Sequence, residues 1–105
     1  MADLSKLLQQ AQQMQSRFQQ MQEELAARTV TATVGGGMVT VEADGKGQVT
    51  RIRIDPSIVS AADVEMLEDL VIAGVREAQK QAAELAQTEM AKMAGGLNLP
   101  FPTGL

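Results

Sequence analysis

Apolar side chains recur along the first quarter of the chain at Leu4, Leu7, Ala11, Met14, Phe18, Met21 and Leu25, with spacings that alternate three and four. That is a heptad seam over three repeats, and it predicts an amphipathic helix from Asp3 to Ala27. Eight of the fourteen residues from Gln9 to Gln22 are Gln, a good helix former that carries no charge. So narrow an apolar stripe suits packing against another helix.

The period then switches to two. Thr29-Val30-Thr31-Ala32-Thr33-Val34 alternates until Gly35-Gly36-Gly37 breaks it, and Met38 to Ala43 alternates again. Asp44-Gly45-Lys46-Gly47 is a hairpin turn signal, and a third strand follows from Gln48 to Ile54. Three strands joined by short turns predict an antiparallel meander, which is marginal unless one face is covered.

Asp55-Pro56-Ser57 ends the third strand, because Pro cannot donate to a ladder. Ser60 followed by Asp63 resembles a capping box and opens a second helix, expected from Ala61 to Ala94. Its apolar positions are Val64, Leu67, Leu70, Val71, Gly74, Val75, Ala78, Ala82 and Leu85. Gly74 on that face suggests either a close approach of another element or a tolerated mid-helix glycine. Gly95-Gly96 reads as the stop, and Leu97–Leu105, with Pro100 and Pro102, reads as an extended tail. The expected organisation is one domain over residues 1–96 and a tail over 97–105.

The order helix, three strands, helix is an α+β, α-β-β-β-α layer. Lengths add a constraint. A second helix of that extent is roughly 50 Å long, whereas strands of six or seven residues reach only about 20–24 Å. Both helices overhang the sheet, and an overhanging apolar face needs a partner. A symmetric homodimer with adjacent sheets and projecting helical arms supplies one. The candidate core and dimer seam comprises Leu4, Leu7, Met14, Phe18, Met21, Leu25, Leu67, Leu70 and Val71.

Composition narrows the chemistry. The chain of 105 residues has two Phe, no Trp, no Tyr, no Cys and no His. That removes the usual zinc ligands, the usual general base and the most reactive nucleophile. Asp63, Glu65, Glu68 and Asp69 fall on the second helix rather than in a calcium-type loop, and read as a solvated face. No catalytic residue, metal or cofactor is expected, and no enzyme. The start, Met1-Ala2-Asp3-Leu4-Ser5-Lys6, has no basic segment ahead of an apolar stretch, and no apolar run spans a bilayer. A cytoplasmic location without a membrane partner is expected.

Several segments are familiar together. Leu7-Leu8-Gln9-Gln10-Ala11-Gln12-Gln13-Met14-Gln15, continuing to Met21-Gln22-Glu23-Glu24-Leu25, resembles the first helix of the YbaB/EbfC family. Ile54-Asp55-Pro56-Ser57, the run Glu65-Met66-Leu67-Glu68-Asp69-Leu70-Val71 and the terminal Leu97-Asn98-Leu99-Pro100 are similar to that family as well. The resemblance covers nearly the whole chain in the right order. It implies a tweezer-like homodimer of α-β-β-β-α protomers that binds DNA on the bacterial nucleoid, with little sequence specificity and a possible effect on DNA conformation and gene expression. It carries no catalytic residues.

Charge runs against that expectation, at −4 per chain. The acidity is unevenly spread, however. Residues 1–28 carry three basic and three acidic groups, residues 29–54 three and two, and residues 55–105 three and eight. The first helix and the sheet are therefore the better candidates for facing phosphate.

Lys6, Arg17 and Arg28 are each eleven residues apart, three helical turns within about 20°. Gln10, Gln13 and Gln20 share the stripe, with Glu24 as its one acid. This row is either a DNA-facing edge or a solvated face opposite the seam. On the third strand, Arg51 and Arg53 are expected to share one face with Val49 while Ile52 and Ile54 point the other way. Those arginines either floor a cleft between arms or lie on an exposed sheet. Arg76 and Lys80 are expected to form intrahelical ion pairs with Glu77 and Glu84. The lack of Tyr and Trp favours duplex over single-stranded DNA.

Two rival functions need no basic surface. One is a protein-binding adaptor in replication or repair, whose Met and Leu stripe and apolar tail engage replication or recombination proteins. The other is a prefoldin-like holdase chaperone.

Overall fold

The computed structural model describes residues 3–96. A 25-residue helix, α1 (Asp3–Ala27), leads into strands β1 (Thr29–Val34), β2 (Val39–Asp44) and β3 (Val49–Ile54). Two 3-10 turns, Pro56–Ile58 and Ala61–Asp63, then feed α2 (Val64–Gly96), of 33 residues. The expected α+β order and all three strands are present. The tail expected at 97–105 lies outside the described residues.

The strands form one antiparallel sheet in the order β1-β2-β3. Period-two patterning sets its inner face: Val30, Ala32 and Val34 of β1 pair with Ala43, Val41 and Val39 of β2. Val39, Val41 and Ala43 are fully buried, and with Ala32 and Ala78 of α2 they make the core. Val34, Ile54, Ile58, Leu70 and Val75 close around it. These are small and branched side chains, as a core without Trp or Tyr requires.

Small residues let α2 lie close on the sheet. A Cβ on Gly74 would fall 2.7 Å from a Val41 methyl, so this glycine marks a close helix–sheet approach. Ala78 and Ala82, one and two turns on, are also buried. The helix stands over β1 and β2 and barely reaches β3.

The β3 strand corrects one expectation. Glu42 pairs with Arg51 but Ala43 pairs with Val49, so Thr50 is an extra residue, a β-bulge. Its hydroxyl donates to the Glu42 carbonyl at 3.2 Å. The bulge turns Val49 away from Arg51 and Arg53 and onto the inner face, beside Ile52 and Ile54. Strict alternation predicted the opposite because it has no place for an inserted residue.

The turns account for the hairpins. Gly35, Gly36 and Gly37 all have positive φ (65°, 67° and 93°), which only glycine adopts at no cost. In the second turn the Asp44 carboxylate accepts from the amides of Lys46 and Gln48 at 2.9 and 3.0 Å. The start of α2 differs from a full capping box. The Ser60 hydroxyl accepts from the Ala62 amide at 3.2 Å and caps a 3-10 turn, which α2 then follows. At its far end α2 runs through Gly95 to Gly96 rather than stopping before them.

Candidate nucleic-acid interface

Only the last turns of α1 are anchored. Met21 and Leu25 are buried, and Leu25 shares a surface depression with Gly45, Gln79, Ala82 and Ala86. Residues 3–20 of α1 are exposed on every side and form an arm. Of the candidate seam, Leu4, Leu7, Met14 and Phe18 are exposed, Leu67, Leu70 and Val71 half-buried, and Met21 and Leu25 buried.

The arm carries the proposed polar stripe. Lys6, Gln10, Gln13 and Arg17 are all exposed on it, with about 16 Å of helix axis between Lys6 and Arg17. Arg17 also borders an open groove with Gln9, Gln12, Gln13 and Ser16. These uncharged donors around Arg17 extend the candidate surface beyond the eleven-residue row. The signal was the Gln richness itself rather than any spacing.

Arg28 is placed differently. It lies one residue past α1, and its guanidinium sits 3.6 Å from Glu89 of α2. Lys92 approaches the same carboxylate at 3.5 Å. Arg17, Gln20, Met21 and Glu24 line a depression with Glu89, Lys92 and Met93, so α2 runs antiparallel to α1, toward its N-terminus. The lower end of the stripe is thus a mixed-charge helix–helix seam, whereas the upper end from Lys6 to Arg17 is uncharged apart from its two cations. Exposed pairs like Arg28–Glu89 contribute about 0–1 kcal/mol, so a stronger anion can compete for the arginine.

The outer sheet face is the second candidate. Register aligns Thr31, Glu42 and Arg51 in one row and Thr33, Thr40 and Arg53 in the next. Thr40, Glu42, Arg51 and Arg53 border a cavity of about 60 Å³, room for a couple of waters and too small for an organic ligand. Neither guanidinium has a carboxylate within 4 Å among the described residues, despite Glu42 standing opposite Arg51. Arg76 and Lys80 likewise make none of the expected intrahelical pairs among the described residues. Their side chains extend into water, where a pair gains too little to hold two long chains in place.

Asp63 is exposed at the end of the second 3-10 turn rather than on the helix, Glu65, Glu68 and Asp69 are exposed along α2, and no group of three or more potential metal ligands occurs among the described residues. The Asp55 carboxyl is held below its ordinary value by the Ser57 backbone amide first, then by the Ser57 hydroxyl. That is a turn contact. No described helix is long and apolar enough to cross a membrane.

Comparison with known proteins agrees with this architecture. The sequence model of the YbaB/EbfC DNA-binding family matches residues 1–97. The chain is 52% identical over 99 residues to a nucleoid-associated protein of Gemmatimonas aurantiaca, covering 94% of this chain and 95% of that one. It is 50% identical over 98 residues to the nucleoid-associated protein Teth514_0034 of a Thermoanaerobacter species, covering 93% and 88%. Among solved structures, the uncharacterized protein HP0035 of Helicobacter pylori superposes with a TM-score of 0.76 at 26% identity, over 85% of this chain and 94% of that one.

Proposed function

The chain belongs to the YbaB/EbfC DNA-binding family, and from that premise we propose that it works in the cytoplasm as a nucleoid-associated homodimer that holds duplex DNA through its backbone, with little preference for sequence. The observation that carries this reading is the arm. Residues 3–20 project from the fold with Lys6 and Arg17 set among glutamines, while the excess acid lies on the chain from residue 55 onward. Separating the charges in this way lets an acidic protein present a locally non-repelling edge to phosphate. Gln side chains add hydrogen bonds to phosphate and sugar without encoding a base sequence.

The dimer in this proposal has its own support. Because α2 barely reaches β3, the inner-face residues Val49 and Ile52 are 37% and 42% exposed. Gln79 donates to the Gly47 carbonyl at 3.2 Å, which sets the side of α2 that faces the β2–β3 turn. Ile72 lies on the same stripe two turns earlier and is 46% exposed. Val49 and Ile52 thus leave an exposed apolar strip along the uncovered strand, with Ile72 on the adjoining flank of α2, and a second copy related by a two-fold axis would cover it. Two arms in one dimer could grip or bend a duplex between them.

Gel-shift titration of the purified protein against unrelated duplexes at two salt concentrations tests the proposal. Similar affinities that fall together as salt rises are expected. Failure to shift any duplex at low salt would overturn it. In that event protection of an unfolding client would indicate a holdase, and capture by replication proteins an adaptor.

A further inference from the structure

Two cations from distant parts of the chain converge on one oxygen at the base of the arm. The Arg28 guanidinium lies 3.6 Å and the Lys92 ammonium 3.5 Å from the same Glu89 carboxylate oxygen, Oε1. Arg17 borders the same depression as Glu89 and Lys92, so the cluster adjoins the lower end of the Lys6–Arg17 edge. Glu24 lines that depression too, but has no cation within 4 Å among the described residues.

The pairing is loose. Charge-assisted N–H···O contacts close to about 2.7–2.9 Å, and neither cation comes that near. The acid is also set deeper than its partners: the Glu89 side chain is 22% exposed, those of Arg28 and Lys92 54% and 69%. Both cations therefore keep their outer sides in water, where further N–H groups are free to donate. A backbone phosphate arriving from that side can meet the arginine fork with two oxygens, whereas Glu89 presents one.

We propose that Glu89 is an internal competitor for DNA: its carboxylate holds Arg28 and Lys92 in the DNA-free protein, and a backbone phosphate takes them over when a duplex lies along the arm. The proposal rests on the DNA-binding reading above and adds to it a site shared by the base of the arm and α2. Exchange of this kind limits affinity. Each new phosphate contact releases counterions from the DNA, but the carboxylate left behind draws cations from solution and offsets part of that release. Glu89 thus holds down both the affinity and its dependence on salt.

Glu89→Gln tests this, with Glu68→Gln as a control that makes the same change in net charge. Glu68 is exposed on α2, about 30 Å of helix axis from Glu89 and several screening lengths away. In gel-shift titrations against one duplex at several salt concentrations, Glu89→Gln should bind about two- to five-fold tighter per chain than wild type. Its slope of log affinity against log salt should steepen by up to about 0.9 per chain. Glu68→Gln should change neither by as much. Adding Arg28→Gln and Lys92→Gln to Glu89→Gln should abolish the gain. Circular dichroism and Tm should stay near wild type, because a loose exposed pair contributes little to the fold and Gln keeps the helix. Equal effects of Glu89→Gln and Glu68→Gln would reduce the result to net charge and overturn the proposal. A Glu89→Gln protein that binds no tighter, or a gain that survives the loss of both cations, would overturn it as well. Each of these outcomes leaves wild-type binding intact, so the DNA-binding reading would stand. A wild-type protein that shifts no duplex at low salt would overturn both.

Discussion

The Gly45 amide donates to the Leu25 carbonyl at 2.9 Å, and this one bond ties the sheet to the base of the arm. The same amide also reaches the Arg28 carbonyl at 3.1 Å. The Arg28 amide also donates to the Leu25 carbonyl, at 3.1 Å, so the last turn of α1 closes on itself and the β2–β3 turn adds a second donor from outside the helix. Leu25 itself is 2% exposed, so the contact is locked from both sides.

No side chain fits between the two. A Cβ on Gly45 would lie 2.5 Å from the Leu25 carbonyl oxygen, a backbone atom that cannot turn aside. Gly45→Ala should therefore lower stability by about 2–3 kcal/mol. For a domain of this size that is a fall in Tm of about 10 °C or more, read by thermal unfolding. Gly74→Ala should cost less, because its 2.7 Å neighbour is a Val41 methyl that can shift with its strand. Equal Tm values for wild type and Gly45→Ala would show that the arm's base is not fixed by this bond.

Much of this fold was legible in the sequence because its periodicities are clean. The α1 boundaries and the three strands follow from the change from period 3.5 to period two and from the glycine turns. The Gly74 approach was visible as one of two readings of a glycine on an apolar face. The face of Val49 was not legible, since a bulge at Thr50 leaves no mark in a pattern of alternating residues. Nor was the role of Arg28, whose eleven-residue spacing fits the stripe although α1 stops at Ala27 and Glu89 comes from 61 residues further along the chain. Gly45 read as a turn residue only. That it caps α1 depends on a tertiary contact, which local signals do not encode.

Asp55 gives a pH signature. Its carboxylate accepts from the Ser57 amide at 2.8 Å, and its pKa is lowered, chiefly by that bond. A folded-state pKa below the unfolded value means the charged form is bound more tightly in the fold. The stabilisation is fully present above about pH 3.8 and is lost as pH falls through the lower folded value. Asp55→Ala should be less stable than wild type at neutral pH, and the gap should narrow below the ordinary carboxylate range. Denaturant midpoints at pH 7 and in strong acid check this; a gap that does not depend on pH would assign the loss to the turn backbone instead.

The exposed strip on β3 predicts where the dimer breaks. Ile52→Asp places a charge on an inner-face position that is 42% exposed in the single chain, so the protomer can hydrate it. A dimer that buried it would have to strip the carboxylate of water, at a cost of several kcal/mol per ion. Sedimentation should show the variant dissociating at concentrations where wild type is dimeric. Thr31→Asp, on the exposed outer face of β1, should leave the mass unchanged. An Ile52→Asp protein that stays dimeric would move the interface away from β3.

The last prediction concerns how the arm holds DNA. If phosphates lie along the outer stripe, Lys6→Gln with Arg17→Gln should weaken binding to all duplexes alike, because phosphate contacts carry no base information. Each lost contact should reduce the slope of log affinity against log salt by about 0.9. A dimer presents each position twice, so the double change can remove up to about four contacts and lower the slope by roughly 3.6. Neither residue packs in the core, and Gln keeps the helix, so dimer mass and circular dichroism should not change. Arg51→Gln with Arg53→Gln is the matched comparison, two cations removed from the outer sheet face instead. A flattened slope in the first variant alone places DNA on the arm, and in the second alone on the sheet. Reduced slopes in both require a duplex that spans the two, lying between the arms with the sheet as its floor. An unchanged slope in both would mean that neither cation pair meets phosphate.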